Sequence, residues 1–383
     1  MSLESPFPSF WLAGFDCASQ VQAGRGRLDL TAELQHDRYC DDDYGMLAPF
    51  GFRTVRDGVR WHLIERRPGR YDFSTVEPLR QAARRHGLCV IWDICHFGWP
   101  RHVHPLQPDF PDRYARFAAA LARYLRGHAD GVCCYVPIVE MSFLASAAGE
   151  WGIFSPFARG QHYAVKCILA RAAIAGMEAI WEVDPRARIL HSEPLVHFVA
   201  PAGRPDLAQA ARARNEGQFE SLDMLAGYRE PQLGGHPRYL DLLGFNYYPY
   251  SEQDVQPSSL LRSDPRWLDL SELLAQAYAR YHRPLLIAET SGIGGGRGPW
   301  LEYVADEAAR ALQRSLPLQG ICLYPITNAP NWDTDECQAY GLWDLVRRPD
   351  GRLVRVLNEP AAQALRAAQA RLRPYLQGTP AHG

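Results

Sequence analysis

The chain has 383 residues, 47% of them hydrophobic, which is ample for a large core. Its formal net charge of −2 leaves no electrostatic footprint for nucleic acid or an anionic membrane surface. No apolar stretch is long enough to span a bilayer, and the opening Met1-Ser2-Leu3-Glu4-Ser5-Pro6 lacks a signal-peptide pattern, so a cytoplasmic protein is expected.

Short apolar runs predict strands near 10–15, 53–57, 88–94, 132–139, 188–192, 241–246, 284–288 and 319–324. Ala/Leu/Arg-rich segments of helical period lie between them, most clearly at 75–86, 110–127, 160–183, 206–228, 268–281 and 301–315. Eightfold strand–helix alternation predicts a (β/α)8 TIM barrel. An open doubly wound sheet fits less well, because no glycine-rich phosphate loop follows the first strand. The excess length falls after strands, at 97–110, 193–205, 247–266 and 326–345, where loops would build a pocket. No linker divides the chain, so residues 1–375 read as one catalytic domain and 376–383 as a frayed tail. The nine cysteines are odd in number and scattered, which fits buried thiols in a reducing compartment better than a disulfide framework. The single lysine, Lys166, against many arginines reflects genome composition rather than function.

Two of the predicted strands end in glutamate. The first reads Val132-Cys133-Cys134-Tyr135-Val136-Pro137-Ile138-Val139-Glu140, and the second Pro284-Leu285-Leu286-Ile287-Ala288-Glu289-Thr290. A carboxylate closing an apolar run is a poor core residue but is well placed at the C-terminal mouth of a parallel barrel. Two of them, far apart in sequence, suggest a two-carboxylate mechanism of the kind that cleaves glycosidic bonds. The other strands also end in polar or aromatic residues: Ser19-Gln20, Arg56-Asp57, His96 with Trp99, His191-Ser192-Glu193, Asn246-Tyr247-Tyr248, and Tyr324 with Asn328, Asn331 and Trp332. Together they describe a polar, aromatic-walled pocket, which is what a sugar requires.

These motifs resemble those of the family 1 glycoside hydrolases over roughly Phe10 to Leu345. Phe10-Trp11-Leu12-Ala13-Gly14-Phe15 through Gln20 is similar to the family's first-strand motif. Arg56 followed by Trp61, His96 followed by Trp99-Pro100, and Gly244-Phe245-Asn246-Tyr247-Tyr248 follow in the family's order. The resemblance implies a retaining β-glycosidase or transglycosidase with Glu140 as acid/base and Glu289 as nucleophile. Arg56 and Tyr248 would supply donors to the nucleophile; Gln20, His96, Val139, Asn246, Tyr324, Asn331 and Trp332 would meet a small carbohydrate or glycoside substrate. No metal or organic cofactor is implied, and a cis peptide is expected at Tyr324-Pro325.

Each residue also has a plainer reading. Glu140 could be a salt-bridged barrel glutamate, Glu289 a cap for the next helix, Arg56 a structural partner of Asp57 or Glu140, and His96 a packing residue. A structural role suits His191 and Glu193 best; a metal-dependent hydrolase built on His96, His191 and Glu193 lacks a ligand-spaced pair. Two departures from the family stand out. Val139 replaces an asparagine that donates to the sugar 2-hydroxyl, and Tyr324 and Asn331 replace a tryptophan and a glutamate. They predict an atypical glycone, such as one altered at C2, or a sugar-binding barrel that has lost turnover.

Overall fold

A computed structural model describes residues 5–128, 131–331 and 336–376. Eight strands close a parallel barrel: β1 Trp11–Gly14, β2 Thr54–Gly58, β3 Cys89–Cys95, β4 Cys134–Ile138, β5 Arg188–Pro194, β6 Leu242–Asn246, β7 Leu285–Thr290 and β8 Leu318–Leu323. Strand β1 closes the ring by pairing with both β2 and β8, Leu12 lying opposite Thr54 on one side and Cys322 on the other. The strands are largely buried on both faces, as strands covered by helices outside and side chains inside must be. In β7 even Glu289 and Thr290 are buried.

The helices form where the sequence places caps and stripes. Phe110–Arg126 begins with Pro111 in its first turn, ends on Arg123 and Arg126, and buries Phe110, Tyr114, Phe117, Leu121 and Leu125. The predicted helix 206–228 is two helices, Ala208–Gly217 and Glu220–Ala226, the second stopped by Gly227 in the left-handed region at φ 77°. The predicted 301–315 starts earlier, at Arg297, directly after a single turn at Gly294–Gly296. Helices His36–Gly45, Met141–Gly149 and Glu359–Leu376 add to those read from the sequence. The expected frayed tail at 376–383 lies outside the described residues after Leu376, which ends the last helix.

The loops beyond the C-terminal strand ends carry small sheets of their own. His197–Val199 pairs with Glu252–Asp254, tying the loop after β5 to the loop after β6. Ala329–Pro330 pairs with Cys337–Gln338, and Trp343–Arg347 with Leu353–Leu357. Tyr324–Pro325 and Ser155–Pro156 are cis. Gly14 closes β1 with no side chain, and a Cβ there would lie 2.1 Å from Cδ2 of Tyr324. Glycine is therefore what lets the tyrosine ring lie against the strand end.

Candidate active site

Glu289 sits in β7 with its carboxylate held on both oxygens. Arg56 Nη1 donates to Oε1 at 2.7 Å, and the Tyr248 hydroxyl donates to Oε2 at 2.8 Å. Arg56, fully buried in β2, also donates from Nε to Asp93 Oδ1 at 2.9 Å and from Nη1 to the Ala288 carbonyl at 3.2 Å. Burial works against its charge, but Asp93 and Glu289 outweigh it and hold the guanidinium's pKa well above its ordinary value. Asp93 is pushed up to about 6 by burial, against the pull of Arg56. The guanidinium also lies 5.0 Å from the centroid of the Tyr324 ring.

Glu140 follows β4 in a left-handed conformation, φ 45° and ψ 58°, which is strained for a side-chain-bearing residue. The turn is fixed from outside. The Glu140 N–H donates to the Ser192 carbonyl at 2.7 Å, and Glu193 accepts from the Met141 and Ser142 N–H groups at 2.8 and 3.2 Å. Glu193 thus holds the start of the helix that opens behind Glu140. On the side chain, Asn246 Nδ2 donates to Oε1 at 2.7 Å. The Asn246 amide is oriented in turn by the Ser192 hydroxyl, which donates to its Oδ1 at 2.9 Å. Burial, then the charge of Glu289, pushes the Glu140 carboxyl up to about 8, with the Asn246 donation working the other way.

The two glutamates open onto one cavity of about 540 Å³, and His96, Asn246, Tyr248, Tyr324 and Asn331 line it with them. Arg56 lies behind this wall and reaches it through Glu289. Two predicted residues are not brought to the cavity. Val139 is fully shut within the apolar core; its N–H bonds the Cys95 carbonyl. Gln20 is equally buried, with no hydrogen-bond partner on either amide atom among the described residues. Trp332 lies outside the described residues.

The sequence reading missed Asp16, two residues beyond β1, and Phe143, on the helix behind Glu140; both line the cavity. Asp16 carries the same signal that singled out the glutamates, a carboxylate just past an apolar strand. Its Oδ1 accepts from the Ala18 N–H at 3.1 Å and the Tyr324 hydroxyl at 3.3 Å. Burial, with the charge of Glu289 adding to it, raises its carboxyl to about 7 against the Ala18 and Tyr324 donations.

The metal-ligand trio considered from sequence does not assemble. His191 Nε2 bonds the Tyr239 carbonyl, and Glu193 is engaged by the backbone behind Glu140. Among the described residues, three candidate ligands do converge at Cys17, Asp93 and His96. The Cys17 Sγ lies 3.3 Å from His96 Nδ1 and 3.7 Å from Asp93 Oδ2, and the last two atoms are 3.8 Å apart. Asp93 already carries the Arg56 ion pair, and burial raises the Cys17 thiol well above its ordinary range, so the trio reads as a hydrogen-bonded support for His96.

Chemically, the cavity offers one carboxyl that keeps its proton near neutrality and one that receives a cation and a phenol. No family model and no curated protein matches the sequence. The fold, however, is similar to solved structures. A β-glucosidase from Thermotoga maritima in complex with castanospermine gives a TM-score of 0.76 over 96% of this chain and 98% of that chain, at 14% identity. A family 1 β-glucosidase from the same organism, in complex with isofagomine lactam, gives 0.71 over 88% of each chain at 13% identity. The chain therefore has the barrel fold of the family 1 β-glucosidases.

Proposed function

We propose that this chain is a divergent family 1-like retaining β-glycosidase, or a transglycosidase using the same intermediate, acting on a carbohydrate through its own two carboxyls. The observation that carries this reading is the opposite treatment of Glu140 and Glu289 in one cavity. Glu140 is given no cation and keeps a proton to donate; Glu289 is given Arg56 and Tyr248. In the first step Glu140 protonates the glycosidic oxygen as that bond to the anomeric carbon breaks, and a Glu289 oxygen bonds the same carbon. In the second, Glu140 takes a proton from water or another hydroxyl, whose oxygen displaces Glu289.

The glycone is proposed to differ from ordinary glucose or galactose, on the ground of Tyr324 and Asn331 in the cavity wall. Val139 lends nothing to a change at C2, because it is closed off from the cavity. The rival reading, a sugar-binding barrel without turnover, drew on Val139 and weakens with it. No described helix is long and apolar enough to cross a membrane. The nine cysteines are unpaired and only Cys337 is exposed, which supports the proposal of a reducing, cytoplasmic setting.

Incubation with a panel of 2-deoxy-2-fluoro aryl β-glycosides is expected to burst-release the phenol and leave a sugar on Glu289, located by peptide mass. A label on another residue, or inverted product from a turned-over glycoside, would sink the retaining mechanism.

A further inference from the structure

Besides the phenols of Tyr248, Tyr250, Tyr324 and Tyr340, the titratable groups lining the cavity are Asp16, Glu140, Glu289 and His96, and no lysine or arginine is among the described lining residues. His96 brings no charge: burial and then Arg56 hold its pKa well below the ordinary histidine value. The cation behind the wall, Arg56, is engaged by Asp93 and Glu289. Asp16 therefore faces the cavity as an acidic group with no basic partner of its own among the described residues. It is 8% exposed, and both of its hydrogen bonds fall on Oδ1. Oδ2 has no partner among the described residues and is not sealed from the cavity.

A buried carboxylate with one oxygen pinned and the other open calls for a donor, and ionising it here is opposed by burial and by Glu289. A neutral hydroxyl supplies one donor and no charge. An ammonium supplies three donors and the missing positive charge, in the geometry of a charge-assisted hydrogen bond. The location is also set. Tyr324 spans from its carbonyl, 3.5 Å from the Tyr248 hydroxyl beside Glu289, to its own hydroxyl at Asp16. Asp16 is thus separated by the length of a tyrosine from the place where Glu289 meets the anomeric carbon.

We propose that the glycone is an aminodeoxy sugar whose ammonium, on C3 or C4, sits against Asp16. The proposal rests on the glycosidase reading, which fixes the anomeric carbon at Glu289. It names the substrate class by its charge.

The test compares 4-nitrophenyl β-glycosides carrying hydroxyl or amine at C2, C3 or C4, together with the matching methyl glycosides in calorimetric binding, near pH ~7.5, where an amine and Asp16 are both substantially charged. Wild-type protein is expected to favour a 3-amino or 4-amino sugar over its hydroxyl parent by ~10-fold or more, in kcat/KM and in Kd. Asp16→Asn, which keeps the acceptor for the Ala18 N–H, is expected to abolish the preference while still binding the hydroxyl parent. The wild-type comparison needs no variant, so a poorly folded Asp16→Asn leaves the test intact. A hydroxyl parent bound and turned over as well as the amines overturns the proposal, as does a 2-amino preference that survives Asp16→Asn. Amine-selective binding without turnover of any aryl glycoside keeps the charge assignment and removes the hydrolase reading; absence of both binding and turnover removes both.

Discussion

At the scale of single residues, the site depends on the hydrogen bond that Asn246 donates to Glu140. The Asn246 donation favours the ionised form of Glu140, while burial and Glu289 favour the protonated one. A general acid must be protonated to work, so activity is expected to fall as pH rises through about 8, the value to which Glu140 is raised. Replacing Asn246 with Ala removes the larger of the influences that lower this pKa, the other being Arg56, and the alkaline limb of kcat/KM should move to higher pH. A limb that stays in place or moves down would mean that the titrating acid is another group.

At the scale of elements, the turn between β4 and the helix Met141–Gly149 holds Glu140 in the left-handed region. The neighbouring hydrogen bonds to Ser192 and Glu193 oppose that strain. Both Glu140→Gly and Glu140→Ala should be inactive, yet the glycine variant should be the more stable by ~1 kcal/mol, because only it takes this backbone without penalty. Urea unfolding of the two proteins measures the difference; an equal or greater stability for the alanine variant would show that the turn is unstrained.

Most of the eight strands are legible as short apolar runs bounded by turn residues, β2 and β5 being the more polar ones, and Glu140 and Glu289 are legible as carboxylates at strand ends. Val139 was misplaced although the strand rule argued otherwise. Adjacent residues of a strand face opposite sides, so a neighbour of Glu140 belongs to the core. Asp16 is less legible, because the first-strand motif that resembles the family's runs past it to Gln20, four residues on. The helix Met141–Gly149 shows no stripe to read, being buried at Met141, Leu144, Ala145, Ala147, Ala148 and Gly149. Glu359–Leu376 buries mainly alanines around Leu365 and Leu372, a weak hydrophobic signal.

At the scale of the whole molecule, the buried carboxyls in and behind the cavity are a liability for folding. Glu140, Asp16 and Asp93 are raised to about 8, 7 and 6, so the folded state holds protons that the unfolded chain has released. Their contribution to stability is fully present below the unfolded carboxyl range near pH ~4 and is lost as pH rises, the loss being complete above about 8. The thermal midpoint is therefore expected to fall between pH ~5 and ~8.5. Glu140→Gln, uncharged throughout, should flatten the upper part of that decline and exceed wild type in stability at the alkaline end. Parallel curves for the two proteins would mean that Glu140 ionises in the fold without penalty.

The contact between Gly14 and Tyr324 bears on how such a site can change through descent. The ring is backed by a strand end with no side chain, while Arg56 lies near its ring and Asp16 and His96 hold its hydroxyl. The wall is coupled: a Cβ at position 14 collides with the tyrosine ring, and a residue without a hydroxyl at 324 leaves Asp16 and His96 without that contact. Lineages that alter their sugar should change positions 14, 16 and 324 together, and sequences that retain the tyrosine should retain the glycine.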